Sequence, residues 1–300
     1  MPVRVTQSMM NMQLVRSLSN NMRRMDEWNT QLTTGRKINK PSDDPVGITY
    51  SLRYRSDLAA NEQYQTNVDN SLSYLEYSDK MLSQAGDVLQ RLNELAVKAS
   101  NGTNPQSALD AIKSEVDELK KQMLDIANSQ LNGKYIFNGQ KTDIKPYADE
   151  ATASSVVTDP YLVKLEISQG VEMATNITGN DVFGLTTDND NVFKIMDELS
   201  TALSDPADFD AINDSIGKIE TRMNQFLGVR ADLGARINRV ELVQTRLEDI
   251  NLNLKSLQSK TEDADVAEVY TNLTMAENVY QASLSVGAKL IQPTLVDFLR

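Results

Sequence analysis

Leu109, Ile112, Val116, Leu119, Met123 and Ile126 are spaced 3, 4, 3, 4, 3 along the chain, a heptad stripe that a helix gathers onto one side. A strand would scatter the same residues over both of its faces. Two longer runs follow the same rule. Val68, Leu72, Leu75, Leu82, Ala85, Leu89, Leu92, Ala96 and Ala99 keep one phase, interrupted by Asp79. Phe209, Ile212, Ile216, Ile219, Met223, Phe226, Leu233, Ile237, Val240, Leu247, Ile250, Leu254 and Leu257 keep another, with Arg230 and Gln244 as polar members. A helix over 206–260 would be on the order of 80 Å long at 1.5 Å per residue. The expected fold is therefore mainly α, an elongated antiparallel long-helix bundle or coiled coil.

Composition narrows the chemistry. The chain has no Cys and no His, which removes thiol nucleophiles, imidazole bases, zinc sites with sulfur or nitrogen ligands, and the Ser-His-Asp arrangement. A metal site would have to be built from carboxylates, and no cofactor is expected. A formal net charge of -12 argues against nucleic acid as a partner. No apolar run approaches a membrane span, and the start "MPVRVTQSMMNMQ" lacks the apolar centre of a cleavable leader, so membrane insertion is not expected. Lack of Cys suits a chain that leaves the cell unfolded by another route, although many cytosolic proteins also lack it.

Helix starts repeat one grammar. Asp44-Pro45, Asn104-Pro105 and Asp205-Pro206 each place a capping side chain before a proline at the first helical position. In "GRKINKPSDDPVG" at 35–47 the cap would be Asp44, and Asp43 a second negative charge at the positive end of the helix dipole. Asp43, Asp44 and Pro45 are thus a helix-start joint. An acid/base or metal role is the competing reading, and it lacks a partner carboxylate at helical spacing. Between Gly133 and about Asn191 the heptads stop. "KYIF" is short and apolar, and "YLVKLEIS" alternates, with Tyr161, Val163, Leu165 and Ile167 on one face. A small β-rich inserted domain is expected there, with a solvated acidic surface: three Lys stand against nine Asp and Glu over 141–191.

Five segments follow: an N-terminal helical segment 1–42, a helical half 43–135, the insertion 136–191, a second helical half 192–261, and a C-terminal helical segment 262–300. The end segments are amphipathic and of opposite charge. Residues 1–40 carry seven basic and two acidic side chains, and residues 260–300 carry three basic and six acidic. Leu14, Leu18, Met25, Trp28 and Leu32 form one stripe, flanked by Met9, Met12 and Met22, the side-chain type that adapts to irregular partners. Val269, Leu273, Ala276, Tyr280, Leu284, Gly287 and Ile291 form the other, continued by Leu295 and Phe298. The two would pair as an antiparallel coiled coil, with apolar surface left for other copies of the chain. These residues are the expected subunit and assembly interface.

Three stretches carry a resemblance to a known family. "TTGRKINKPSDDPVG" at 33–47, "LGARINRVE" with "LEDINLNL" at 233–254, and "YQASLSVGAKLIQPTLVDFLR" at 280–300 resemble, in order, the terminal regions of flagellin-type axial proteins of the bacterial flagellum. "KPSDDPVG" in place of an alanine-rich "DDAAG" form, "LNGKYIFNGQKTD" at 131–143 and the ending "VDFLR" resemble the hook-filament junction branch. The resemblance implies a secreted structural protein, not an enzyme, exported through the flagellar type III apparatus. It would stand as a homo-oligomeric ring between hook-associated protein 1 and the flagellin filament. An export chaperone would hold its C-terminal segment beforehand. A flagellin filament subunit is the alternative in the same class, and a coiled-coil binding or sensor module the alternative from a different one.

Overall fold

A computed structural model of the chain describes residues 7–204 and 207–290, less the side chains of Gln7 and Leu290. The helices are α1 (Gln7–Thr34), α2 (Pro45–Ala99), α3 (Gln106–Ala127), α4 (Gly179–Phe183), α5 (Val192–Ala202), α6 (Phe209–Glu262) and α7 (Val266–Leu290). The strands are short: β1 (Gln130–Leu131) pairs with β2 (Lys134–Tyr135), and β3 (Lys164–Ser168) with β4 (Val171–Ala174), both antiparallel. The fold is mainly α, as the heptads require.

Helix starts follow the expected grammar in one case and depart from it in another. Asp44 Oδ1 accepts from the Val46 and Gly47 N–H groups at 3.1 and 2.9 Å and caps α2. Asn104 does not cap α3. Its side-chain amide donates to the Lys98 carbonyl at 2.7 Å, tying the end of α2, and the cap position falls to Pro105, which makes no side-chain cap. The expected start at Asp205-Pro206 lies outside the described residues. Asp208 caps α6 instead, accepting from Asp210 and Ala211 N–H groups at 3.1 Å each.

The chain divides into two compact units, 61–249 and 1–60 with 250–300. The division groups each terminal helix with one end of a long helix, so its limits fall inside α2 and α6. Among the described residues, the contiguous hydrophobic core lies wholly in 61–249. Val68, Leu75 and Leu82 of α2, Leu109 and Val116 of α3, Leu199 of α5, and Ile212, Ile219 and Leu233 of α6 are buried in it. Two of the polar heptad members meet each other, Arg230 pairing with Asp79 at 3.0 Å, while the Gln244 amide donates to Asp69 beside the α2 stripe at 3.0 Å. The two interruptions are therefore one feature, a polar rung that fits a single register of α2 against α6. Lys120 to Asp197 at 2.6 Å and Lys218 to Glu198 at 2.8 Å fasten α5 to its neighbours.

The β1–β2 hairpin ends just before the insertion, which has little regular structure beyond the β3–β4 hairpin and the short α4. Asn132 and Gly133 both take positive φ, 53° and 78°, the tight-turn geometry that an Asn-Gly pair favours between paired strands. Tyr161 does not join the alternation expected of it. The partner strand gives out at Ala174, opposite Lys164, so Tyr161 precedes the strand and is exposed. Ile167 from the same run is fully buried. Phe137, Tyr147, Phe183 and Phe193 stack into one aromatic cluster with centroids 5.0–5.7 Å apart, which anchors the irregular chain without sheet pairing.

The unit formed by 1–60 and 250–300 is built differently. Its buried side chains are largely polar or small: Asn21, Ser51, Asn251 and Glu262 beside Ile38, Leu58 and Val269. The heptad phase read through Ile250 and Leu257 slips by one residue there. Asn251 and Glu262 are inside, whereas Ile250 and Leu257 are exposed, because the inward face is organised around polar contacts. Most of the large apolar side chains exposed in the described structure belong to this unit.

Candidate assembly interface

The terminal helices α1 and α7 pack against each other as antiparallel partners. At one end Gly287 lies so close to Leu14 that a β-carbon at 287 would come within 2.7 Å of Leu14 Cδ2. At the other, Arg36 and Asp263 form an antiparallel backbone bridge. Leu14, Leu18, Asn21, Met25, Trp28 and Leu32 are the sheltered stripe of α1, stepping 4, 3, 4, 3, 4. Val269, Leu273, Ala276, Tyr280, Ser283 and Gly287 are its counterpart on α7 with the same steps. Small side chains at 276, 283 and 287 let the helices approach closely.

The structure sorts the residues read from sequence into two groups. Leu14, Leu18, Met25, Trp28, Leu32, Val269, Leu273, Ala276, Tyr280 and Gly287 are half-buried or buried along this seam. Met9, Met12, Met22 and Leu284 are exposed. Ser283 takes the inward place that the sequence spacing had given to Leu284, which is 45% exposed. Ile291, Leu295 and Phe298 lie outside the described residues.

Several exposed apolar side chains of these helices are regularly placed. Val15 and Met22 each follow a seam residue by one position, and Met275, Val279 and Val286 each precede one. One residue is a rotation of about 100° on a helix. Each terminal helix thus carries exposed apolar side chains beside the stripe it uses within the chain.

Both chain joints of this unit converge on Glu262. Gly35, at φ 68°, ends α1. The Lys37 N–H then donates to the Glu262 carbonyl at 2.6 Å, and the Ala264 N–H to the Gly35 carbonyl at 3.0 Å. Asp43 Oδ2 closes the next turn by accepting from Asn39 and Lys40 N–H groups at 3.0 and 2.7 Å. The Lys40 and Asn39 N–H groups hold the Asp43 carboxyl below its ordinary pKa. Its role is to close this turn, rather than to supply dipole charge alone. Gly47 is closely packed, since a β-carbon there would press on the Asp44 carboxylate and the end of the Ile38 side chain.

The Glu262 side chain is 2% exposed. Arg55 grips it with two bonds, Nε to Oε1 at 2.8 Å and Nη2 to Oε2 at 2.6 Å. Ser51 Oγ also donates to Oε1, Gln258 does so at 3.4 Å, and Arg36 Nε stands 3.8 Å from Oε2. The Arg55 bonds, helped by Ser51 and Gln258, hold the Glu262 pKa at about 2 against the opposing effect of burial. The sequence reading placed a joint near Glu262 but missed this cluster. The available signal was a Glu and an Arg near opposite ends of the two long helices, which becomes informative once those helices are aligned antiparallel.

Among the described residues, no group of three or more Asp or Glu side chains could hold a metal ion, and no helix is long and apolar enough to cross a membrane. The family model of the bacterial flagellin N-terminal helical region matches residues 5–142, and that of the C-terminal helical region matches residues 216–299. The flagellar hook-associated protein 3 of Escherichia coli (strain K12) is 26% identical, over 94% of this chain and 95% of its own. A flagellar filament 33 kDa core protein of Treponema phagedenis is also 26% identical, over 93% of each chain. Among solved structures, a putative flagellar hook-associated protein from Vibrio parahaemolyticus shares the fold with a TM-score of 0.67 at 21% identity, over 74% of this chain and all of its own.

Proposed function

The chain belongs to the bacterial flagellin family, and from that membership we propose that it is the structural layer joining the hook side of the flagellum, through hook-associated protein 1, to the flagellin filament. It is a structural protein of the flagellum and not an enzyme. The name of its Escherichia coli relative, which matches along nearly the whole of both chains, supports a place at the hook.

The observation that carries the reading is the contrast between the two units. Among the described residues the contiguous hydrophobic core lies in 61–249, whereas the unit of the terminal helices buries several polar groups and leaves large apolar side chains exposed beside its seam. Burying those side chains removes apolar area from water, worth roughly 25 cal/mol per Å², and neighbouring axial subunits are the surfaces positioned to do so. The seam residues Leu14, Leu18, Met25, Trp28, Leu32, Val269, Leu273, Ala276, Tyr280 and Gly287 build the helical hairpin. Met9, Met12, Met22 and Leu284 face other copies of the chain in a homo-oligomeric ring. A chaperone shields the C-terminal segment before export to the cell exterior, and flagellin is the partner on the distal side.

The relative from Treponema phagedenis, named as a filament core protein and equally similar, favours a second reading as a filament subunit. Antibody labelling of purified hook-filament preparations, with a count of copies per cell, separates the two. The junction role requires a single band at the hook-filament boundary and few copies. Label along the whole filament, with thousands of copies, would assign the chain to the filament.

A further inference from the structure

We propose that Glu262 is a positioning residue for assembly: its carboxylate latches the α1–α7 hairpin to the first turns of α2 and so fixes the direction in which the hairpin is presented. Three chain segments meet at this one side chain. Ser51 and Arg55 come from α2, Arg36 from the joint after α1, and Gln258 from α6 itself. The α1–α7 seam involves none of them. It is made of side chains between Leu14 and Leu32 and between Val269 and Gly287.

The geometry separates two tasks. Packing along the seam holds the hairpin together, and apolar packing tolerates small rotations. Direction needs a contact with strict geometry, and a bidentate Arg–carboxylate pair supplies one. A fully buried carboxylate is a costly way to gain stability, because removing its charge from water opposes the attraction to Arg55. A specific orientation is what such a group supplies and an apolar side chain does not. The backbone bonds from Lys37 N–H to the Glu262 carbonyl and from Ala264 N–H to the Gly35 carbonyl hold the two joints adjacent, so the latch needs to fix only the remaining rotation.

The consequence for the flagellum rests on the axial role proposed above, but the latch itself does not. The chain lacks Cys, so pairs of introduced cysteines take spin labels cleanly, and distances are read in the full-length protein. One pair, Asn20→Cys with Asp57→Cys, reports the hairpin against α2. A second, Ser17→Cys with Gln281→Cys, reports within the hairpin. In Glu262→Gln the first distance distribution broadens and the second stays narrow. The charge exchange Glu262→Arg with Arg55→Glu narrows the first again. If the first distribution stays narrow in Glu262→Gln, there is no latch. If both broaden, Glu262 merely holds the hairpin together, and the proposal fails as well. Filament number in the flagellated source cell should fall in Glu262→Gln and recover in the exchange. Broadening without filament loss would keep the latch and remove the assembly role.

Discussion

Asp43 and Asp44 are adjacent, yet one closes a turn and the other starts a helix. Asp44 was legible in the sequence because capping is local: its oxygen reaches N–H groups two and three residues ahead. Replacing Asp44 by Asn should cost a few tenths of a kcal/mol, and by Ala about 1 kcal/mol, in denaturant titrations of the monomer. An Asn substitution that left the fold intact and abolished assembly would reopen a chemical role for the pair. Glu262 was not legible as a buried anchor, because its Arg55 partner lies 207 residues away. Its folded pKa of about 2 lies below the ordinary glutamate value of about 4.3. The unfolded chain therefore takes up this proton first as pH falls. The stabilisation is complete above the unfolded pKa and is lost as pH drops from there through about 2. The melting-temperature difference between the natural chain and Glu262→Gln should be full near neutrality and should shrink across that window. A difference independent of pH would show that Glu262 contributes packing rather than charge.

At the scale of elements, the heptads showed where helices run and which residues are inside, provided the inside is apolar. Val68, Leu75, Leu82, Leu109, Val116, Ile212, Ile219 and Leu233 are all buried on the predicted stripes. The same rule lost phase at Ile250 and Leu257, where Asn251 and Glu262 occupy the inward places, because hydrophobic periodicity carries no signal for a polar interior. It also gave Leu284 an inward place that Ser283 takes, since a 3-residue and a 4-residue step both keep a helix stripe. Asp79 and Arg230 looked like separate flaws and proved to be partners. Each is more than a third exposed, so their pair contributes little energy, about 0.2–1 kcal/mol after screening. A double-mutant cycle with Asp79→Ala and Arg230→Ala should return a coupling in that range that weakens with added salt. Leu82→Ala, by contrast, should cost about 2–5 kcal/mol, because Leu82 is fully buried among large neighbours. A Leu82→Ala chain as stable as the natural one would mean that the core of 61–249 is not where its stability resides.

At the scale of the whole molecule, the hydrophobic core and most of the exposed apolar side chains of the described structure fall in different units, and this is where sequence alone ran out. The spacing of apolar residues marked both terminal helices as amphipathic, but it could not say which apolar side chains satisfy each other and which await another chain. Leu284 distinguishes the two cases. It is 45% exposed on α7, so Leu284→Asp places its charge in water and should leave the monomer's helicity and melting temperature nearly unchanged. On assembly the same charge would have to leave water without a partner, which costs several kcal/mol. Ala276→Asp is the contrasting variant, since Ala276 is sheltered in the α1–α7 seam and its replacement should disrupt the hairpin itself. Cells carrying Leu284→Asp should therefore bear hooks without filaments and release unpolymerised flagellin into the medium. Electron microscopy of the cells, with a blot of the culture supernatant, reads both outcomes. Chaperone binding and secretion of the variant, measured separately, distinguish failed export from failed assembly. Full-length filaments on cells that export the variant normally would show that the face of α7 carrying Leu284 is not buried at the junction, and the assembly surface would then have to lie elsewhere on the molecule.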